Sequence, residues 1–184
     1  MNYLQRFIGH CRTVNRHRRL VRKLCFRFGL YRQGITHDLS KYSPVEFWNG
    51  VKFYTGTKSP HVGERSTYGY SKAWLHHKGR NKHHAEYWQD ITSNGITEPV
   101  QMPQEYLLEM ICDRVAASMT YCKEKYTDSS ALEYYNSRKQ ENNFHPTTRA
   151  ALEAVLNMIA EKGIDAKAIK QVIADIYYSQ GQLI

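Results

Sequence analysis

Apolar residues recur almost everywhere in this chain at steps of three and four, the period with which a helix buries one side. Over residues 2–28 the recurring positions are Leu4, Phe7, Ile8, Cys11, Val14, Val21, Leu24, Cys25 and Phe28, and Gly29 follows as a C-terminal stop. Ser43-Pro44-Val45-Glu46 has the form of a capping box with proline at the first helical position, starting a second helix through Phe47, Trp48 and Val51. A short helix is expected around residues 71–77, a break over 79–82 and another helical start near His84. Met102-Pro103 opens a long helix to about Tyr126 carrying Leu107, Ile111, Val115, Met119 and Cys122, and residues 130–140 form a weaker one. Thr147 or Thr148 caps a helix with Leu152, Val155, Leu156 and Ile159, ended by Gly163; Asp165 caps the last, with Ile169, Val172, Ile173 and Ile176 inside. No segment has the period of a strand. Residues 55–70, rich in Gly, Ser and Thr and without a period, read as a surface loop that could cover a site. The expected fold is an all-α bundle in one domain, residues 1–184, with its core over about 1–127 and a C-terminal helical hairpin within 128–184.

Composition restricts the function classes. Charged residues make up 23% of the chain and the mean hydropathy is −0.65, with no apolar run near the ~20 residues needed to span a bilayer. The N-terminus carries charges and histidines where a signal peptide would be apolar, so a cytoplasmic protein is expected, with no membrane partner. Cys11, Cys25, Cys112 and Cys122 lack CxxC spacing and lie on apolar helical faces, which favours buried free thiols over disulfides or a zinc site. The net charge of +9 belongs to the first helix: residues 1–36 hold nine Arg/Lys and no acid. Such a face is either a solvated surface or an attractor for phosphate, on a nucleotide or a nucleic acid, with Arg16, Arg18 and Arg19 as its centre. Most of the fourteen tyrosines fall at helical core positions, which leaves few for stacking on bases.

The histidines and acids carry the chemistry. His17, three residues after Val14 and four before Val21, points into the apolar face of the first helix, and His10 lies seven residues earlier on nearly the same face. Each is either a core histidine bonded to a backbone carbonyl or a ligand. Asp113 shares its face with Met110, Ala116 and Ala117, so it too is paired or a ligand. His37-Asp38 stands ahead of a helix start, with Lys41 three residues on. In AWLHHKGRNKHHAEYW, residues 73–88, one helix cannot direct His76, His77, His83 and His84 into a single core. A break at Gly79-Arg80-Asn81 lets one histidine from each pair face a common ion.

His17 with Val21, then His37-Asp38-Leu39-Ser40-Lys41, then Asp113 on a later helix, resemble the ordered H…HD…D pattern of the HD-domain metal-dependent phosphohydrolases. HDLSKYSPVEF, HHKGRNKHHAEYW and EMICDRVAAS together are similar to an uncharacterised HD-like family of bacteria and phages. The resemblance covers residues 17 to about 122 and implies an HD-like bundle. It implies that His17, His37, Asp38 and Asp113 hold one divalent transition ion, Mn, Fe, Co, Ni or Zn. Asp38 would bridge to a second ion held by one histidine of each pair, His77 and His84 being favoured, with His76 and His83 as the other candidates. Glu109 and His10 are further candidates to bind metal or orient a ligand. The implied reaction is hydrolysis of a nucleotide or other phosphate ester by a metal-activated water, with Asp38 at the reacting centre and Lys41 stabilising phosphate charge. Ser40 departs from the glycine of many active members, and the Gly-Tyr-Pro motif of the cyclic-dinucleotide branch is missing, which argues against cyclic di-GMP cleavage. The alternatives are a non-catalytic nucleic-acid-binding protein with a structural metal and, third, a di-iron oxygenase.

Overall fold

The computed structural model describes residues 1–138 and 143–181. Its helices are α1 (Tyr3–Arg27), α2 (Tyr31–Thr36), α3 (Pro44–Lys52), α4 (Pro60–Tyr68), α5 (Lys72–Lys78), α6 (Gln104–Cys122), α7 (Ser130–Ser137), α8 (Pro146–Lys162) and α9 (Ala166–Gly181). Short 3-10 turns occupy Leu39–Tyr42, Ala85–Tyr87 and Lys123–Lys125. The fold is all-α, and α8 and α9 pack as the expected hairpin.

Local chemistry explains most boundaries. Asn2 and Gln5 close a reciprocal capping box at 2.9 and 3.0 Å that starts α1. At its other end Gly29 takes φ +74°, and the amides of Gly29 and Leu30 return to the carbonyls of Phe26 and Cys25. Asp165 caps α9 as read, accepting from the amides of Lys167 and Ala168. The core is a continuous apolar layer. Val21 and Leu24 of α1, and Phe28 just past its end, meet Leu107, Ile111 and Val115 of α6, which continue into Leu152, Val155, Leu156 and Ile159 of α8 and Ile169 and Ile173 of α9.

Five expectations change. Residues 55–70 are not simply a loop, because α4 forms over Pro60–Tyr68; it buries Glu64 instead of an apolar stripe, so no period announced it. A two-stranded antiparallel hairpin, β1 (Gln89–Ile91) and β2 (Thr97–Pro99), was too short and too exposed to show alternation. Thr147 and Thr148 do not cap α8. His145 does, through Nδ1, while both threonines are buried and Thr148 accepts from the amide of Met102 at 3.1 Å. Of the thiols only Cys25 and Cys112 are buried; Cys11 and Cys122 are partly exposed, and none forms a disulfide. Among the tyrosines only Tyr135 is fully buried, and Tyr3, Tyr31, Tyr68, Tyr70, Tyr134 and Tyr178 are more than half exposed, since the phenol keeps its polar end in water. The helix expected over 130–140 spans Ser130–Ser137, and its last two positions lie outside the described residues. No described helix is long and apolar enough to cross a membrane.

Candidate metal centre

His37 ends α2, and Asp38 turns the chain sharply into the 3-10 segment with φ +54° and ψ +26°. Few residues other than glycine adopt that conformation, though aspartate is among the more tolerant. Arg18 braces the turn from α1: Nε donates to the His37 carbonyl at 2.8 Å and Nη2 to the Ile35 carbonyl at 3.0 Å. This arginine, read from sequence as part of a phosphate-attracting patch, is thus committed to backbone. Arg16 reaches the Met119 carbonyl at 3.4 Å, and Arg19 is exposed. The turn drives the Asp38 side chain into the bundle, where it is 1% exposed.

Around Asp38 the implied ligands converge in two groups. Oδ2 faces His37 Nε2 at 3.4 Å, His17 Nε2 at 3.7 Å and Lys41 Nζ at 2.7 Å. Asp113, from α6, completes this group, its Oδ1 lying 3.0 Å from His17 Nε2 and 3.6 Å from His37 Nε2. Oδ1 of Asp38 faces His77 Nε2 at 3.3 Å and His83 Nε2 at 3.4 Å, and His84 offers its ligand atom to the same group. The break after α5 therefore brings in both members of the second histidine pair, where sequence favoured His84 alone. The first pair splits: His77 enters, and His76 stays outside on Glu46.

The outer nitrogens of His37, His77 and His83 are held by carboxylates. Glu109 Oε1 accepts from His37 Nδ1 at 2.8 Å and stands 3.1 Å from His83 Nδ1, so one carboxylate orients a histidine of each group. Glu46 accepts from His76 Nδ1 at 2.6 Å and from His77 Nδ1 at 2.8 Å. Sequence gave Glu46 only the capping-box role. Half of that box exists, Ser43 Oγ accepting from the Glu46 amide at 3.4 Å, and the carboxylate goes to the histidines instead. Ser40, the departure from the usual glycine, lies 3.2 Å from His77 Nδ1 and accepts from Asn81 Nδ2 at 2.8 Å. Two more residues went unread: Glu64, which takes the amides of Lys72 and Ala73 and fixes the start of α5, and His61 of α4, whose ring lies 6.2 Å from that of His77. His10 stays apart, packed between Phe47 and Tyr54 where α3 approaches α1 at Gly50.

The inner nitrogens are not satisfied. Nε2 of His17, His37, His83 and His84 and Oδ1 of Asp38 are buried without a hydrogen-bond partner. Orphaned buried polar atoms are costly, and five facing one another fit a cation better than any packing role. Adjacent ligands around an ion at about 2.1 Å stand about 3 Å apart, close to the separations between these donors. The donors are imidazoles and carboxylates without thiolates, a set that suits Mn, Fe, Co, Ni or Zn.

Electrostatics agree with a site for positive charge. Burial would raise the Asp38 carboxyl, but the charges of His37, Lys41 and His77 outweigh it and hold the group well below its ordinary range. Burial likewise opposes Asp113, and the close approach of His17 and His37 outweighs it and holds the carboxyl well below its ordinary range. His37 is the reverse case: burial would lower it, and the Asp38 charge, with Asp113 and Glu109 close by, holds it well above 6.5. His17 and His84 are pushed down, chiefly by burial, and remain neutral. The protein alone therefore keeps a proton on His37 where an ion would put its charge.

A family model matches residues 6–158, which is most of the chain and every residue of the centre. The chain belongs to DUF5662, a family of unknown function. No curated protein and no solved structure matches it. The DUF5662 match ends within α8, so α9 lies beyond it.

Proposed function

We propose that this DUF5662 member is a cytoplasmic metal-dependent phosphohydrolase of HD type, acting on a nucleotide or another phosphate ester. The observation that carries the reading is the convergence of histidine Nε2 atoms, those of His17, His37 and His83 unpartnered, on both oxygens of Asp38, while carboxylates hold Nδ1 of His37, His77 and His83. His17, His37, Asp38 and Asp113 would hold one ion, and Asp38, His77, His83 and His84 a second. Such ions lower the pKa of a water and polarise a phosphoryl oxygen.

The chain's own groups do the rest. Lys41 sits on the open side of Asp38 with its side chain 26% exposed, and its ammonium keeps its proton because Asp38 and Asp113 outweigh burial. It is placed to neutralise a phosphate oxygen entering beside Asp38. Glu109 and Glu46 orient three histidines through Nδ1, so that once an ion displaces the His37 proton their inward nitrogens would offer it lone pairs. Arg18 holds the His37-Asp38 turn in register with α1.

The test is element analysis of protein purified without an affinity tag, joined to a phosphatase screen over a nucleotide panel. The reading expects two transition ions per chain and metal-dependent turnover. Replacing His77 and His84 together should halve the metal and leave the first site filled. One ion in both proteins would remove the second site. Metal without hydrolysis of any ester, but with consumption of oxygen by the iron-loaded protein, would replace the hydrolase by an oxygenase.

A further inference from the structure

Charge is divided between the two halves of the chain more sharply than the net value suggests. Residues 1–85 contain seventeen Lys/Arg and three acids, whereas residues 86–184 contain nine and fourteen. The three acids are Asp38, Glu46 and Glu64, at 1%, 4% and 4% exposure, all turned inward onto histidines, Lys41 or the start of α5. The surface that α1 to α5 present to solvent therefore carries cations and no carboxylate. A merely solvated face is normally mixed in sign, because like charges repel.

On α1 these cations form a row. Arg12, Asn15, Arg19, Arg22 and Phe26 follow at steps of three and four, so they share one side of the helix, and each is exposed. The row runs about 21 Å at 1.5 Å per residue. Arg12, Arg19, Arg22 and the adjoining Lys23 form no ion pair or side-chain hydrogen bond among the described residues. Exposed rings border the row at two places. Tyr42, 39% exposed, hydrogen-bonds Asn15 through its hydroxyl and lies under the Arg18 guanidinium; Phe26, 40% exposed, packs edge-on against Tyr31, 61% exposed.

The geometry points to a binding surface for single-stranded nucleic acid along α1. Unpaired guanidiniums match phosphate oxygens in fork geometry. Rings standing beside them give unpaired bases a surface on which to stack, the combination that holds a single strand without reading its sequence. A membrane fits less well, since the apolar side of α1 is buried against α6 and the exposed side is a row of charges. A second copy of the chain fits less well again, since cationic faces repel. The inference does not depend on the metal centre, and binding should survive metal removal.

The experiment is fluorescence anisotropy of a labelled oligothymidylate on the full chain, with and without EDTA, against increasing salt. The expected result is binding in both conditions that weakens steeply with salt. Arg12→Glu/Arg19→Glu/Arg22→Glu should lose at least about 100-fold in affinity and flatten the log–log salt slope by about 2, at roughly 0.7 per single-strand phosphate contact. Its helical circular dichroism and metal content should match wild type, which separates loss of the surface from loss of the fold. Tyr31→Ala should cost about 5-fold or more, as removal of a stacking platform does. Wild type that ignores the oligonucleotide at low salt, or a triple variant that binds as tightly as wild type, would overturn the proposal. So would tighter binding to duplex than to single strand, or capture by anionic phosphatidylserine vesicles without capture of the oligonucleotide.

Discussion

The region around Asp38 and the α8–α9 hairpin are buried in opposite ways. Near Asp38 the side chains withdrawn from water are His17, His37, Asp38, Glu46, His77, His83 and Glu109, whereas the hairpin and its neighbours bury Leu152, Val155, Leu156, Ile159, Ile169 and Ile173. Apolar burial stabilises a fold whatever its partners, at about 25 cal/mol per Å². Buried imidazoles and carboxylates stabilise it only when each finds a counterpart, and here several inner nitrogens do not. The hairpin thus offsets the cost of a centre whose inner nitrogens the chain leaves unpaired, a balance that the proposed ions would complete. Both regions lean on α6, which gives Asp113 and Glu109 to one and Ile111 and Val115 to the other.

Variants can break this contrast, beginning with the largest effect. Asp38→Asn keeps the shape of the side chain but loses the charge shared by both ligand groups, so element analysis should find both ions largely gone. Full metal content in that protein would show that Asp38 is no bridge. Leu156→Ala should do the opposite, lowering unfolding free energy by about 2–5 kcal/mol in denaturant titration at unchanged metal stoichiometry. Should it release metal before unfolding, the two regions are coupled more tightly than their packing suggests. Lys41→Ala should retain its ions and lose turnover on phosphate esters by something on the order of 100-fold.

Smaller effects sharpen the comparison within the centre. Glu109 holds a histidine of each ligand group, and Glu46 holds His77 of one group only. Glu109→Gln should therefore weaken both ions by about 10–100-fold in competition with a chelator, and Glu46→Gln only one of them. The least of the effects is on pH. His37 is raised above 6.5 in the metal-free protein, so the stability it contributes is complete below 6.5 and is lost as pH rises through its folded value. Asp38 and Asp113 are depressed, so theirs is present above 3.8 and is lost only as pH falls through their folded values. An ion must displace the His37 proton, and its affinity grows with pH. The melting-temperature gap between metal-loaded and metal-free protein should widen from pH 6 to pH 8; a constant gap would place the displaced proton elsewhere.

Much of the fold was legible because α1, α6, α8 and α9 bury apolar stripes, whose period is written along the chain. What escaped lacked that stripe. The helix α4 buries a glutamate, and the β1–β2 hairpin is three residues deep on each side. In the centre, His17, His37, Asp38 and Asp113 were marked by polarity on apolar faces or by the dipeptide, and they meet. Glu46 was hidden because its spacing from Ser43 also satisfies a local motif, and His61 because its helix was read as loop.

By itself, then, the sequence determined the all-α class, the order of the main helices, the excess of positive charge at the start and the residue types able to bind a metal. These depend on composition and on separations of three or four residues. Only the tertiary structure decided that His83 joins His84 while His76 turns away, that Arg18 serves the backbone, and that Glu109 braces two histidines far from it in the chain. It also decided that the three acids of residues 1–85 face inward and leave the surface to their cations. The physical reason is that the reach of a side chain is a few ångströms, and which groups fall within that reach is set by the packing of helices distant in sequence.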